Sequence, residues 1–353
     1  MVEGVRRALP DADVDCCPIG DGGEGTLEAL LQAVAGTVHE VPVTDALGIA
    51  RSARFASFHD GMTAYVEAAE AIGLELVPEP ERDPTRTTSF GVGELILAAC
   101  DTGVRSIVVG IGGSATNDGG CGMAQALGYR FFDSEGREMS EPLTGGRLPQ
   151  IARICPDGRK ALSAPITIAC DVDNPLTGPR GAAHVYGPQK GATDEQAAEL
   201  DSGLGHFADV VLRDLGVDVA TAAGAGAAGG LGAGLLAFAA AGMRSGIGTV
   251  LNMVQFDRRV RGCDLCLTGE GRLDGQSLSG KACLGVAQAA ARYNVPCIAL
   301  VGSRGPDAEK CLGLGLEDIV VIGEGMSEAE SMRRAAELIA DTAERVIEKY
   351  QID

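Results

Sequence analysis

Tryptophan is absent, and the aromatic residues together make up 4% of the 353 positions. Histidine is scarce as well. His39, His59, His184 and His206 stand far apart with no metal-ligand spacing, which argues against a histidine metal centre. Positive charge is short: 29 Lys and Arg face 49 Asp and Glu, for a formal net charge of −20. No Lys/Arg cluster offers a basic face, so non-specific nucleic-acid binding is excluded and anionic membranes are disfavoured. The same deficit sets a requirement. A site for an anionic substrate must find local positive potential in individual Lys or Arg residues, helix N-termini or a metal.

A secretory signal is also lacking, because Met1 to Leu9 is too short and too charged. The segment reads as the second half of an amphipathic helix, which leads us to expect a missing upstream segment. Eleven cysteines, an odd number without a signal, point to free thiols in a reducing, cytoplasmic setting. Cys263 and Cys266 have C-x-x-C spacing, but no second Cys/His pair is placed to complete a zinc site. Val219 to Met243 carries no charge and is long enough to span a bilayer. Its Ala and Gly gain little from lipid, so a glycine-rich loop feeding a buried helix is expected.

What is present is an ordinary globular composition, 45% hydrophobic and 22% charged, enough for a core of useful size. At roughly 100–200 residues per domain the length suggests two domains. Asp13–Ile19 reads as a strand, followed by a glycine-rich turn and a helix from Leu27 to Val34. Val38–Val43, Ser52–Phe58 and Met62–Val66 read as a meander joined by turns. Ser106–Gly110 and Ile166–Ala169 are apolar strands, each running into a long loop. From Cys263 onward strands and helices alternate, which argues for a parallel, doubly wound sheet. The expected fold is therefore α/β with two domains. Residues 1–43 and 255–353 form a Rossmann/flavodoxin-like parallel sheet from both chain ends, and residues 44–254 form an inserted mixed α/β domain.

Three loops carry the chemistry. Gly110–Gly120 follows a strand and opens a helix, the place where an open α/β sheet binds ligands. Its glycines let backbone N–H groups of Gly112 and Gly113 face an anion, and Ser114, Thr116 and Asn117 add donors. The second loop, from Asp171, holds Asp173 and Asn174, hard oxygen ligands suited to Mg²⁺; either aspartate could instead take a proton from an attacking hydroxyl. Lys190 follows shortly after. The third loop, Thr268 to Lys281, nearly matches a P-loop, but Ala282 stands where Ser or Thr would hold the metal. Lys281 reads as a phosphate-facing cation, with Glu270 and Asp274 as metal or base candidates. Gly224–Gly229 fits G-x-G-x-x-G, yet no acid lies about 20 residues on to take a ribose hydroxyl. A hydride-transfer enzyme is the poorer reading.

Taken together, Asp21–Thr26, Gly110–Gly120, Cys170–Gly181 with Gly187–Ala192, Gly224–Gly234 and Thr268–Lys281 resemble the bacterial type I glycerate kinase family, in the family's order and over nearly the whole chain. The resemblance implies two α/β domains with the active site in the cleft between them. It implies transfer of the γ-phosphoryl of ATP to D-glycerate, mostly giving 2-phosphoglycerate, with Mg²⁺. It also implies an upstream strand and loop that this sequence does not show. Asp171 and Lys190 are then the catalytic candidates. Gly112, Gly113, Ser114, Thr116, Asn117, Asn174, Arg272, Ser277 and Lys281 would bind substrate or phosphate. Asp173, Glu270 and Asp274 would hold metal, with Asp21, Glu24 and Asp118 as further candidates. The expected partners are ATP and D-glycerate, with no nucleic acid and no membrane, and a homodimer is left open. A 3-phosphoglycerate product, a ligand-binding form without turnover and a nucleotide-dependent oxidoreductase remain as alternatives.

Overall fold

A computed structural model describes residues 1–275 and 282–350. The chain divides into two compact units, one made of residues 1–19 and 247–353 and the other of residues 20–246. The boundaries thus fall at 19 and 246, where sequence patterning put them at 43 and 255. Strand pairing supplies the reason. Gly36–Thr44 (β1) is hydrogen-bonded along its length to Ala50–Phe58 (β2), which holds residues 36–43 in the larger unit.

The larger unit is built on a six-stranded sheet. β2 also pairs antiparallel with Thr63–Glu67 (β3), which completes the meander. From β3 the sheet turns parallel, through Ser106–Gly110 (β4), Ile166–Ala169 and Gly242–Arg244. Two short strands, Arg130–Phe132 (β5) and Arg153–Cys155 (β6), form a separate antiparallel pair, so Ile166–Ala169 is β7 and Gly242–Arg244 is β8. The sheet order is β1-β2-β3-β4-β7-β8. β4 is an unbroken aliphatic run, Ile107-Val108-Val109, and all three are buried, as a parallel strand covered on both faces requires. Helix Asp194–Leu215 buries Ala197, Leu200, Leu204, Phe207, Ala208 and Val211, one stripe at helical spacing. Its N-terminus carries a reciprocal cap: Thr193 Oγ1 accepts from the Gln196 N–H, and the Gln196 side chain accepts from the Thr193 N–H. The uncharged stretch after Val219 becomes a loop, a 3₁₀ turn at Ala227–Gly230, the helix Leu231–Ala239 and β8. Among the described residues no helix is long and apolar enough to cross a membrane.

The smaller unit draws on both chain ends. Cys266–Leu273 (β9), Cys297–Arg304 (β10) and Asp318–Val321 (β11) form a parallel sheet in the order β11-β10-β9. Helix Val2–Ala8 packs on helix Ala335–Tyr350, and Val5 joins Ile298, Leu300, Leu338 and Val346 in one core. Asp13–Ile19, expected as a strand, carries no ladder hydrogen bonds among the described residues. It lines a cavity of about 780 Å³ whose wall also includes Cys263–Thr268. A strand needs a laddering neighbour within hydrogen-bond reach, and this segment faces the cavity instead. The chain ends in two helices, Glu328–Arg333 and Ala335–Tyr350, that meet at Arg334.

Candidate active site

In the larger unit four parallel strands end together, and one register row crosses them: Glu67, Gly110, Ala169 and Arg244. Registered partners project from the same face of the sheet. Gly110 and Ala169 leave room there, and the loop from Gly20 to Gly25 fills it. Gly22 O accepts from Gly112 N–H at 3.3 Å. A Cβ on Gly112 would sit 2.6 Å from the Gly23 Cα, so only glycine allows the two loops to meet. Asp21 caps its own turn by accepting from the Gly23 N–H at 3.0 Å. The Glu24 side chain lies beside Gly113, and burial pushes its carboxyl above the usual range, helped by Glu75.

The Gly110–Gly120 loop is mostly interior. Only Gly112 and Gly113 are accessible, and residues 114–120 are buried. Asp118 explains much of this. Its carboxylate accepts from the N–H groups of Ser89, Gly120 and Gly122 and from Ser89 Oγ, at 2.7 to 3.1 Å. Burial raises its pKa, and these four donors oppose that rise without cancelling it. Asp118 thereby satisfies the N-terminus of helix Cys121–Ala126. The helix start after Gly120, expected to offer positive potential to a ligand, is already occupied by this carboxylate. Glu67 does the same for helix Thr26–Ala33, accepting from Gly25 and Leu27 N–H at 2.8 and 2.7 Å. Burial raises the Glu67 carboxyl pKa.

Lys190 comes from the 3₁₀ turn Pro188–Lys190 and is 2% exposed. Its Nζ donates to Thr116 O at 2.7 Å and Ser114 Oγ at 3.2 Å. Desolvation lowers its pKa to about 7, against a smaller opposing pull from Asp118. Lys190 therefore braces the loop from beneath. Beside it the Thr116 hydroxyl and both amide atoms of Asn117 are buried without a hydrogen-bond partner among the described residues. Buried polar groups without partners are uncommon and mark a place where water or ligand atoms complete the network.

Asp171 Oδ1 accepts from Ser245 Oγ at 2.8 Å and Gly246 N–H at 2.9 Å, which ties the ends of β7 and β8 together. Asp173 is exposed and paired with Arg180 at 2.8 Å. Asn174 is a strut: its Nδ2 donates to Arg180 O, and its Oδ1 accepts from the Tyr186 hydroxyl, both at 2.7 Å. Arg272, Glu270 and Asp274 belong to the smaller unit, on β9 and its end, where Arg272 pairs with Asp274 at 3.2 Å. Ser277 and Lys281 lie outside the described residues. Among the described residues no group of three or more His, Cys, Asp or Glu is placed to hold a metal.

The structure thus brings Asp21, Glu24, Gly112, Gly113 and Asp171 to one end of the larger unit's sheet, with Lys190, Ser114 and Thr116 supporting them from inside. Sequence reasoning missed Glu67 and Arg244. An acid or a base closing a short apolar strand was the available signal; Arg244 is the first charge after the uncharged run. Gly224–Gly229 is packed against the chain itself. A Cβ on Gly229 would lie 1.9 Å from Thr116 O, and one on Gly226 would lie 2.1 Å from Pro175 O. These glycines serve close contact with the chain's own backbone.

A family model described as the glycerate kinase family matches residues 1–351. A glycerate kinase of Bacillus subtilis (strain 168) is 45% identical over 343 residues, covering 96% of this chain and 89% of the relative. A glycerate 2-kinase of Escherichia coli (strain K12) is 46% identical over 303 residues, 85% of this chain and 79% of the relative. A crystal structure described as a glycerate kinase 2 from Salmonella typhimurium LT2 superposes with a TM-score of 0.85 at 44% identity, covering 99% of this chain and 92% of that one.

Proposed function

Because the chain belongs to the glycerate kinase family, we propose that it transfers the γ-phosphoryl of ATP to the 2-hydroxyl of D-glycerate, giving 2-phosphoglycerate. The observation that carries this reading is the accessible Gly112–Gly113 turn at the end of β4, braced by buried Lys190. Phosphoryl transfer asks mainly for positioning and charge neutralisation, and a turn held rigid from beneath supplies the first. The Gly113 backbone is the exposed part of that turn and would face the transferring group. The 2-position follows the E. coli relative, described as a glycerate 2-kinase.

Magnesium would neutralise charge on the phosphates. It commonly takes one or two protein carboxylates and completes its shell with water and phosphate oxygens, so a cluster of three acids is not required. Asp21 fits that modest demand in the larger unit: its carboxylate is exposed, beside the Gly112 turn, and uses one oxygen to cap Gly23. Glu270 and Asp274 offer hard oxygen in the smaller unit. Asp171 orders the strand ends through Ser245 and Gly246, and in this reading it either positions or deprotonates the substrate hydroxyl.

The test is ADP release by the purified chain with ATP, MgCl₂ and D-glycerate, with the product identified by phosphorus NMR. Release coupled to 2-phosphoglycerate is expected. No ADP above the glycerate-free rate would overturn the kinase reading, and 3-phosphoglycerate would overturn the position alone.

A further inference from the structure

We propose that Arg244 is the receptor for the substrate's carboxylate, a specificity-determining residue at the end of β8. The proposal rests on the kinase reading above and deepens it. At pH 7 every acceptor candidate of this enzyme class is an anion, so some cation must meet it. In the larger unit the obvious sources are already engaged. Both helix starts at these loops are satisfied by Asp118 and Glu67. Lys190 is interior and bonded to the loop. Arg180 is paired with Asp173. Arg244 is exposed, and among the described residues its side chain makes no hydrogen bond or ion pair.

Its placement is specific. Arg244 ends the register row that runs through Glu67, Gly110 and Ala169, so its side chain leaves the same face that Gly22 covers at Ala169. Met243, one residue earlier, points to the other face, where its sulfur abuts Gly224. The backbone is fixed on both sides: Arg244 O accepts from Cys170 N–H at 3.0 Å, and Asp171 holds Ser245 and Gly246. Gly110 lies two strands away, roughly 10 Å at ordinary strand spacing. A three-methylene side chain carrying a guanidinium covers much of that distance. A short hydroxy acid can then reach from Arg244 to the Gly112–Gly113 turn. The planar guanidinium presents two parallel N–H groups to a carboxylate, a fit that a neutral or tetrahedral end group does not reproduce.

The test compares wild type, Arg244→Lys and Arg244→Ala with D-glycerate and with its neutral amide, D-glyceramide. The expected result is a KM for D-glycerate raised about 100-fold in R244A, with the KM for ATP within threefold. Wild type should prefer D-glycerate to the amide strongly, and R244A should lose most of that preference. R244K, which keeps charge without the fork, should fall between the two. Urea midpoints should be alike, since the side chain is exposed and unpaired among the described residues. Unchanged discrimination in a folded R244A overturns the proposal, as does a rise confined to the KM for ATP. An inactive wild type would instead refute the kinase reading, so the two failures are distinguishable.

Discussion

Replacing Lys190 by methionine removes a buried ammonium while keeping nearly the same length of side chain. The fall in pKa from 10.5 to about 7 corresponds to about 5 kcal/mol of disfavoured charge at 1.36 kcal/mol per unit. Against that stand two hydrogen bonds from the ammonium, to Thr116 O and Ser114 Oγ, worth about 1.5–3 kcal/mol each. The terms nearly cancel, so Lys190→Met should lie within about 2 kcal/mol of wild type at pH 7. The pH dependence separates them. Below pH 7 folded and unfolded chains both carry the proton, and the burial cost is felt in full. Between pH 7 and 10.5 the unfolded chain binds more protons than the folded one, so the Lys190 contribution to stability rises with pH. The wild-type minus K190M difference should therefore grow by about 2 kcal/mol from pH 7 to pH 9, measured by urea unfolding followed by circular dichroism. Taking the difference cancels the buried thiols, which titrate in the same range. Freed of its brace, the Gly112–Gly113 turn should lose order, and kcat/KM should fall about 100-fold, near 2.7 kcal/mol. A difference flat between pH 7 and 9, or a folded K190M with wild-type kcat/KM, would refute the reasoning.

Two further perturbations probe the same loop. Asp118→Ala leaves four donors unsatisfied in the interior and removes the acid that opposes the Lys190 shift. It should cost about 3–5 kcal/mol in urea unfolding, and a loss under 1 kcal/mol would contradict its capping role. Gly112→Ala sets a methyl 2.6 Å from the Gly23 Cα. The two loops must part, so kcat/KM should drop at least 10-fold while the secondary-structure signal is kept; unchanged kinetics would show that the close approach is irrelevant to turnover.

Local pattern was enough for several features. The meander is legible because Val38–Val43, Ser52–Phe58 and Met62–Val66 are β-rich runs divided by Asp-Gly and Leu-Gly turns. The Thr193 helix start is legible because a cap and its Gln196 partner are three residues apart. The glycine loops at 110 and 224 are visible as loops, but their uses are not. Gly226 and Gly229 admit the chain's own backbone, and of the first loop only Gly112 and Gly113 reach solvent. Asp13–Ile19 has a strand's composition but no strand partner among the described residues, because laddering depends on a neighbour that composition cannot supply.

The sequence by itself determined the α/β class, the N-terminal meander, the alternation of strands and helices after Cys263 and a deficit of positive charge that any anion site must overcome. Tertiary structure decided where that charge is available. Asp118 and Glu67, remote in sequence from one another, each close a helix start, and Lys190 is drawn inside by Thr116, 74 residues away. Pairing of β7 with β8 then sets Arg244 at the open end of the row. Such assignments come from register and burial across long separations, which local propensity does not encode.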